Sequence, residues 1–365
     1  MNLELSAEQV ALRDTVRRFL AEKAGVATHV RSMFDDPAGT DPALWQGLAA
    51  LGATGLLVPP QYDGAGMTLI DAGIVAEELG AALHPGPWLS CAVATTRALT
   101  HTNALDKAAD LLTGIADGST IATVAGITGP RPTAVEGGGG VVLNGEIATV
   151  GDLAAAEVAL VLADGHDGTA LFTVDTSSRG LGWSLQNGID QTRKLFHATF
   201  DNVPAQRLAA AAPDAIQALV DDVIITHAAD ALGAARTVMN LAVEYAKSRT
   251  QFGKPIGSFQ AVQHLCVDMY ETVELARGGV IHALWAADAA DAAERHLAAV
   301  RAKAYAARLA TVGDIAIQVF GGIGYTWEHD AHLYLRRLLS WSTYLGGSDQ
   351  YLAELGAQLV RPAGR

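Results

Sequence analysis

Cysteine, aromatic residues and positive charge are all scarce in this chain of 365 residues. Its two cysteines, Cys91 and Cys266, are too few for a disulfide framework and favour a reduced compartment, the cytoplasm. The 25 Lys and Arg against 39 Asp and Glu give a formal net charge of −14, which argues against a nucleic-acid surface. No uninterrupted apolar run approaches the roughly 20 residues that a membrane span needs. Residues 1–9 also lack the basic and then apolar pattern of a signal peptide.

The composition that remains predicts a mainly helical protein with two or three domains. Half of the residues are apolar, and abundant alanine favours closely packed helices. We expect a fold that is mainly α with a β-domain. An N-terminal α-helical domain would cover residues 1–118, a middle antiparallel β-barrel or sandwich residues 119–210, and a C-terminal bundle of four or more helices residues 211–365.

Local signals in the N-terminal third predict individual helices. Ser6, followed by Gln9 three residues later, resembles a capping box, and Asp41 with Pro42 predicts a second helix start. A loop rich in proline and glycine, residues 58–66, precedes a helix that carries Glu77 and Glu78. We expect these two carboxylates to lie on a solvated helix face.

Between residues 120 and 208 the sequence changes to short runs with high β-propensity. The runs cover residues 120–124, 140–143, 158–162, 170–174 and 198–200, with turns rich in Gly and Asp between them. The glycine run at residues 136–140 is not followed by a helix that carries a lysine, so a hairpin turn is favoured over a phosphate loop.

The most informative stretch is residues 249–260, with the sequence RTQFGKPIGSFQ. Residues 228–247 before it have helical periodicity, and Ser258 is a candidate cap for the helix that follows. The forked guanidinium of Arg249 suits phosphate oxygens, and Phe252 offers a stacking face. These groups suit a ligand with a diphosphate and a flat ring, although a solvated surface turn has about even odds on chemistry alone.

This stretch resembles a signature of the acyl-CoA dehydrogenases, flavoenzymes that oxidise the Cα–Cβ bond of an acyl thioester. Residues 318–328, QVFGGIGYTWE, resemble the glycine loop of the same family, and a weaker resemblance covers the N-terminal third. The resemblance implies the helix–sheet–helix architecture and an FAD cofactor. The residues that it places at the cofactor are Arg249, Gln251, Phe252, Phe259, Gln260, Gln318, Gly321 and Gly322.

The chain departs from the family at the catalytic base. The family's usual Glu, in a Glu-Gly-Thr pattern, is replaced here by Leu345. Some members place the base on the helix before the Arg-x-Gln-Phe-Gly motif, where this chain has Val223. Neither side chain can accept a proton, so no catalytic residue is assigned.

Other carboxylates near these two positions are weaker candidates. Asp221 and Asp222 flank Val223 but point about 100° away from it on a helix. Asp230 shares the face but lies about 10 Å along the helix, and Asp349 lies past Leu345. Asp230 is the least poor candidate for a displaced base.

The part of the family pattern that holds the flavin ring is also depleted. Residues 122–129 lack the family's Thr-Glu-Pro segment, and Thr149 stands where a Trp is usual, although Asn144 and Glu146 are kept. In family dimers one subunit holds the flavin ring and its neighbour contacts the ADP portion through the two retained motifs.

The combined pattern predicts the non-catalytic subunit of a heteromeric acyl-CoA dehydrogenase. It would complete the FAD site of a related catalytic chain in a dimer of heterodimers. Family habit suggests bulky acyl-CoAs such as sterol side-chain thioesters, with electron-transferring flavoprotein as the acceptor. The alternatives are a self-sufficient homo-oligomeric dehydrogenase that uses Asp230 as its base, and a flavin-free scaffold for assembly or acyl-CoA binding.

Overall fold

The structure, a computed structural model, describes residues 4–137 and 140–360. The order of its helices and strands confirms the predicted fold class, with a β-rich segment between two helical segments. The chain divides into two compact units. The first contains the described residues of Met1–His29, Gly73–His84 and Ile224–Arg365, and the second contains Val30–Ala72 and Pro85–Val223. The domain boundaries at residues 118 and 210 stay a prediction.

Eleven α-helices are present in the described residues. They are α1 (Ala7–Lys23), α2 (Pro42–Ala50), α3 (Leu69–Ala81), α4 (Thr96–His101), α5 (Ala109–Ala116), α6 (Pro213–Ser248), α7 (Gln260–Ala289), α8 (Ala292–Ala306), α9 (Leu309–Phe320), α10 (Ala331–Thr343) and α11 (Ser348–Leu359). Shorter segments have π-helical (Val26–Val30, Leu89–Thr95) or 3-10 helical hydrogen bonding (Pro60–Tyr62, Leu105–Ala108, Ile256–Ser258, Gly321–Tyr325).

Two predicted helix starts are confirmed. The hydroxyl of Ser6 accepts from the Gln9 amide, and the Gln9 side chain accepts from the Ser6 amide, so both bonds of a capping box are made. The carboxylate of Asp41 accepts from the Ala43 amide, and Pro42 occupies the first helical position of α2.

The second unit contains a seven-stranded sheet that closes on itself. Its strands are β1 (Ala122–Ala125), β2 (Thr133–Gly137), β3 (Gly140–Gly151), β4 (Val158–Gly165), β5 (Gly168–Asp175), β6 (Leu181–Leu185) and β7 (Leu195–Ala210). The order β4-β2-β3-β7-β5 returns to β4, while β1 pairs with β4 and β6 with β7. The ring of five strands therefore forms a small barrel, which removes most free edges.

The sheet is mixed, whereas the expectation was an antiparallel one. The β1–β4 and β2–β4 pairs are parallel, and the other five pairs are antiparallel. The parallel β1–β4 pair is possible because the β2–β3 hairpin lies between these strands in the chain and provides the long connection that such a pair needs. Gly137 lies opposite Gly140 in this hairpin, as predicted, and residues 138 and 139 of the glycine run lie outside the described residues.

Apolar side chains from alternating strand positions fill the barrel. In β3, for example, Leu143, Ile147 and Val150 point inward, with a β-bulge adjusting the register after Ile147. The buried cluster comprises Ala125, Leu143, Ile147, Val150, Leu153, Ala159, Val161, Ala163, Ala170, Phe172, Val174, Phe196, Ala198, Phe200 and Val203.

In the first unit, α3 and α6 cross at two glycines. A Cβ on Gly80 would lie 1.9 Å from the Asp230 carbonyl oxygen, and a Cβ on Gly233 would lie 1.8 Å from that of Glu77. The two backbones are therefore in direct contact. The predicted helix at residues 228–247 belongs to α6, which is 36 residues long and so spans about 54 Å.

The expected solvated face for Glu77 and Glu78 is wrong. The Glu78 side chain is 3% exposed and accepts from Arg17 at 2.8 Å and from Arg236 at 2.9 Å. Glu77 lies 3.2 Å from Arg236 and 3.3 Å from Arg277. Burial alone would raise the pKa of Glu78, but Arg17 and Arg236 outweigh it and hold the pKa below its ordinary value. The pair of carboxylates joins helices of the core.

One helical stretch, Ala292–Tyr325, passes a length and hydropathy test for a membrane span. Half of its most apolar window is buried inside the molecule, as is usual for a core helix, so the stretch is weak evidence for a span.

Candidate functional site

The chain turns sharply where α6 ends at Ser248. Two short strands, β8 (Thr250–Gln251) and β9 (Lys254–Pro255), form a hairpin whose two turn residues are Phe252 and Gly253. Both turn residues have positive φ, 52° and 78°. This is the backbone of a type I′ turn, which usually carries Asn and Gly. Phe252 is 93% exposed at the tip of this hairpin.

A second aromatic ring lies beside the first at the start of α7. The rings of Phe252 and Phe259 meet edge to face with their centroids 6.2 Å apart, and the Lys254 ammonium lies 4.5 Å from the Phe259 centroid. The prediction that Ser258 caps α7 is wrong. Phe259 occupies the N-cap position, and its side chain makes no capping hydrogen bond. The hydroxyl of Ser258 instead donates to the Pro255 carbonyl at 2.7 Å.

The glycine loop begins where α9 ends at Phe320. Gly321 has φ 65° and ψ −143°, a conformation that is almost restricted to glycine. A Cβ added to Gly321 or Gly322 would meet nothing within 4 Å, so both backbones are open on the side where a ligand would approach. Gln318, in the last turn of α9, is exposed next to them.

Aromatic contacts bring the two predicted segments together in the first unit. Tyr245 lies one turn before the end of α6, and the centroid of its ring is 5.0 Å from that of Phe320. The Phe320 ring centroid is in turn 4.3 Å from the His329 ring centroid. The amide of Arg249 donates to the Tyr245 carbonyl at 2.8 Å. The end of α6 and the glycine loop are thus neighbours although about seventy residues separate them in sequence.

The groups on this surface fit the chemistry of FAD. The exposed side chains of Arg249, Gln251, Gln260 and Gln318 provide hydrogen-bond donors, and the Gly321–Gly322 backbone is accessible. Guanidinium and backbone donors suit a diphosphate, and an exposed phenyl ring suits a planar ring. In the described residues these side chains are open to solvent, so they are accessible to a ligand. Their assignment as cofactor residues stays a prediction.

The structure gives the surroundings of Leu345 and Val223, the two residues at the positions where the resemblance places a base. Leu345 is half-buried with φ 55°, and its carbonyl accepts from the Tyr351 hydroxyl at 2.6 Å. In the second unit, Val223 is 2% exposed. The positive φ at residue 345 is a backbone conformation that leucine disfavours. The leucine side chain has no group that can accept a proton.

The nearby carboxylates are engaged in other contacts. Asp230 is 3% exposed, and both of its oxygens accept from Arg337, at 2.9 and 3.1 Å. Asp222 is fully buried against Arg97 and His101, each at 2.6 Å. Burial alone would raise the pKa of Asp222, but Arg97 and His101 outweigh it and keep that pKa below its ordinary value. A carboxylate that is stabilised in its charged form is a poor proton acceptor.

The remaining carboxylates near these positions are also accounted for. Asp221 accepts from the Gln217 amide at 3.0 Å, and Asp349 is exposed in the first turn of α11. Glu328 lies in a turn before α10.

The β-domain residues that would face a flavin ring make internal contacts. The Thr123 hydroxyl of β1 donates to the Gly151 carbonyl at 2.7 Å. Gln186 donates to the Ala148 carbonyl at 2.7 Å, and its side-chain oxygen accepts from Thr149 at 3.4 Å. The retained Asn144 accepts from the Asn202 amide, and Glu146 lies 3.3 Å from His197.

Three aromatic side chains, near Leu345 and in the glycine loop, were not predicted from the sequence. His227 stacks on Tyr344 with a centroid distance of 4.7 Å, directly before Leu345. Its position on the same helix face, four residues after Val223, was the available signal. Tyr325 and Trp327, in the second half of the glycine loop, are 73% and 54% exposed.

Comparisons with known proteins identify the family of the chain. Two family models match, the acyl-CoA dehydrogenase N-terminal domain over residues 6–118 and the acyl-CoA dehydrogenase C-terminal domain over residues 216–360. Acyl-CoA dehydrogenase IpdE2 of Mycobacterium tuberculosis is 36% identical over 336 residues, which are 90% of each chain.

Two solved structures are similar over almost the whole chain. A variant of the Tcur3481-Tcur3483 steroid ACAD has 31% identity and a TM-score of 0.87, with 96% of this chain and 97% of that chain covered. The ChsE4-ChsE5 complex from Mycobacterium tuberculosis has a TM-score of 0.90 at 24% identity, with both chains fully covered, which supports the fold alone. The chain is therefore a member of the acyl-CoA dehydrogenase family, whose cofactor is FAD.

Proposed function

We propose that this chain is the non-catalytic subunit of a heteromeric acyl-CoA dehydrogenase and that it completes the FAD site of a catalytic partner. The observation that carries the proposal is a contrast within the chain. The residues that the resemblance places at a neighbour's cofactor include exposed side chains and an open glycine backbone, whereas the two positions that the resemblance assigns to the base carry Leu345 and Val223.

Each residue of the exposed surface would have a defined task. Arg249 would donate to the FAD diphosphate, and the Gly321–Gly322 backbone would approach the same group closely. Phe252 and Phe259 would cover a planar part of the cofactor. The bound flavin supplies the oxidation, and this chain only holds and orients its far end.

The self-sufficient alternative is supported less well. Its candidate base, Asp230, is buried and accepts two hydrogen bonds from Arg337. Proton uptake by Asp230 would leave a buried guanidinium without a counter-ion, at a cost of several kcal/mol. A flavin-free scaffold is the second alternative, and it would leave the strained and exposed Phe252 without a role.

The partner would be a related chain that carries the catalytic Glu and the flavin-ring residues, in a dimer of heterodimers. The steroid ACAD among the similar structures makes a bulky acyl-CoA, such as a sterol side-chain thioester, the best-supported substrate class. Electron-transferring flavoprotein would accept the electrons, and the assembly would work in the cytoplasm.

The visible absorption spectrum tests the proposal. The chain is purified alone and after co-expression with the acyl-CoA dehydrogenase chain encoded beside it that has Glu at the position of Leu345. We expect a colourless lone chain and a yellow complex that acyl-CoA bleaches. A yellow lone chain that acyl-CoA bleaches would overturn the proposal, and so would a flavin-free complex.

Substitution of Arg249 tests the contact in trans. Because a charge-assisted hydrogen bond contributes about 1.5–3 kcal/mol, Arg249→Ala should weaken flavin binding by the complex about 10-fold to 150-fold. Arg18→Ala, at an exposed position of α1, is the matched control and should leave flavin binding unchanged. Equal flavin occupancy in both variants would contradict donation in trans.

A further inference from the structure

A cleft of about 490 Å³ opens between α1, α3 and α6 in the first unit. Its α1 wall includes Leu20, Ala21 and Ala24, which lie on one face of that helix, and the end of α3 contributes Ala81 and Ala82. Four of these five side chains are single methyl groups, too short to fill the space between the helices. The volume falls within the range of about 300–1,000 Å³ that is typical of small-molecule sites. We call this space the three-helix cleft.

Two guanidinium groups and a buried carboxylate lie at one end of the cleft. Glu78 is 3% exposed and accepts from Nε and Nη2 of Arg17, both at 2.8 Å, and from Nη2 of Arg236 at 2.9 Å. These bonds leave Nη1 of both arginines without a hydrogen-bond partner in the part of the chain that the structure describes. The charge of Glu78 is thus paired, while the two guanidiniums keep donors for a further acceptor.

α6 lines the cleft with residues that change from polar to apolar along the helix. Asn240 lies one turn from Arg236 on the same face, and its side chain forms no hydrogen bond with other described residues. Leu241, which is 39% exposed, continues the apolar wall. Glu244 lies two turns from Arg236, about 12 Å along the helix, and its carboxylate accepts from Lys247 at 2.6 Å. Hydrogen-bond donors therefore collect at the Arg236 end of the cleft.

We propose that the three-helix cleft binds a small amphipathic carboxylate. The carboxylate lies at Arg17, Arg236 and Asn240, and the apolar body lies between Leu20 and Leu241. A guanidinium edge matches the two oxygens of a planar carboxylate, and the methyl-lined walls suit an aliphatic chain. An uncharged apolar ligand would leave the donors without an acceptor, and a cationic ligand would meet two arginines.

This site is separate from both parts of the proposed function. None of the described residues that line the cleft is a predicted cofactor residue. Arg236 also lies nine residues, about 14 Å, along α6 from His227, which stacks on Tyr344 next to Leu345. The site therefore adds to the proposed function and does not depend on it.

Isothermal titration calorimetry of the full chain with octanoate tests the proposal. We expect one octanoate to bind per chain. Octan-1-ol and octylamine keep the eight-carbon chain but replace the carboxylate, so they should bind at least about tenfold more weakly. Equal binding of octan-1-ol would show that the head group is not recognised and would overturn the proposal. Tighter binding of octylamine, or no binding of octanoate, would overturn it as well.

Ala21→Trp fills the cleft without removing a polar group. Ala21 is exposed on α1, and the indole takes space that octanoate needs, so binding should weaken at least about tenfold. Ala11→Trp, at another exposed alanine of the same helix, is the matched control and should leave octanoate binding unchanged. Equal melting temperatures of the two variants would show that both fold. Equal octanoate binding by these two folded variants would overturn the inference.

Arg17→Gln tests the contact to the head group. The Arg17 side chain is 45% exposed, so its loss should weaken octanoate binding only about twofold to fivefold and leave octan-1-ol binding unchanged. Glu78 keeps its bond from Arg236 in this variant, so the fold should persist. Arg18→Gln, at the neighbouring exposed position of α1, is the matched control. Octanoate binding as tight in Arg17→Gln as in Arg18→Gln would contradict the proposed position of the carboxylate.

Discussion

Phe252 has a backbone conformation that its own side chain disfavours. It occupies the first position of a two-residue hairpin turn with φ 52°, and its side chain is 93% exposed. A left-handed backbone costs a residue other than glycine about 1–2 kcal/mol. Within this chain the ring contacts Phe259 edge to face, and this contact, worth about 0.5–1.5 kcal/mol, offsets part of that cost. Strain that a chain does not use for its own packing is typical of a binding position.

Phe252→Asn should therefore separate stability from cofactor binding. Asn tolerates this backbone conformation, so the free energy of unfolding should rise by up to about 1 kcal/mol in urea titrations. The complex should bind flavin about 2-fold to 13-fold more weakly, because an aromatic contact is worth about 0.5–1.5 kcal/mol. Gly253→Ala, at φ 78°, is the control and should lower stability. A less stable Phe252→Asn chain would contradict the proposed strain.

Lys303 makes stability depend on pH in an unusual direction. It is fully buried on α8, donates to the Trp341 carbonyl at 2.7 Å and lies 3.6 Å from the centre of that indole. Burial lowers the pKa of Lys303 from 10.5 to about 7. Between these values the unfolded chain binds more protons than the folded chain, so the contribution of Lys303 to stability increases as pH rises.

Lys303→Met should remove that dependence. At pH 7 the variant should be as stable as the original chain or more stable, by up to about 4 kcal/mol, because a buried charge is replaced by an apolar chain of similar length. The difference between the two chains should shrink as pH rises from 7 to 9, in urea titrations at each pH. A difference that stays constant would show that Lys303 does not titrate in this window. Cys91 also has a shifted pKa, which burial raises to about 12. Because the original chain and the Lys303→Met variant both contain Cys91, its contribution to the pH dependence cancels in the difference between them.

Long-range partners decided which residue predictions failed. Glu78 pairs with Arg236, 158 residues away, and Asp230 with Arg337, 107 residues away. No local pattern identifies such a partner, so the sequence favoured a solvated face for Glu78. The interpretation of Leu345 and Val223 does not depend on their neighbours, because an aliphatic side chain cannot accept a proton in any environment.

At the scale of elements, the crossing of α3 and α6 depends on two glycines with no room for a side chain. Gly233→Ala should lower the free energy of unfolding by more than about 3 kcal/mol, since the added carbon meets backbone and the helices must move apart. Gly278→Ala, on α7, is the matched control because its Cβ would meet nothing within 4 Å. It should raise stability by about 0.5–1 kcal/mol, which is the difference in helix propensity. Equal changes in the free energy of unfolding for Gly233→Ala and Gly278→Ala would show that α3 and α6 are not in tight contact at Gly233.

The elements that the sequence predicted well carry strong local signals, and those that it missed carry weak ones. Ser6, with both bonds of a capping box, marks the start of α1. β2 contains Gly and Glu, and β6 is a short strand in which Gly and Ser separate the apolar residues, so the β-propensity of both is low. Ser258 has the right residue type for a cap, but the 3-10 turn before α7 directs its hydroxyl to the Pro255 carbonyl.

At the scale of the molecule, exposure is the property that the sequence could not give. The resemblance selected Arg249 and Gly321, and only the structure shows that both are exposed and that the segments carrying them are joined through the rings of Tyr245 and Phe320. Exposed groups of this kind, on a chain that carries Leu345 and Val223 where the family resemblance places a base, favour the proposed division of labour between subunits. The same division implies that restoring one catalytic group does not restore a catalytic site.

Leu345→Glu tests this implication. The Leu345 carbonyl is fixed by the Tyr351 hydroxyl, so a carboxylate can be added without a change of backbone. We nevertheless expect the lone variant to stay colourless and inactive, because Thr149 and residues 122–129 lack the groups that hold a flavin ring in the family. In the complex, activity should stay within about twofold of the original, since the partner supplies the base. Removal of the partner's own Glu is the control and should abolish activity. A lone Leu345→Glu chain that binds flavin and is bleached by an acyl-CoA would show that this subunit keeps a complete site of its own and lacks only the base.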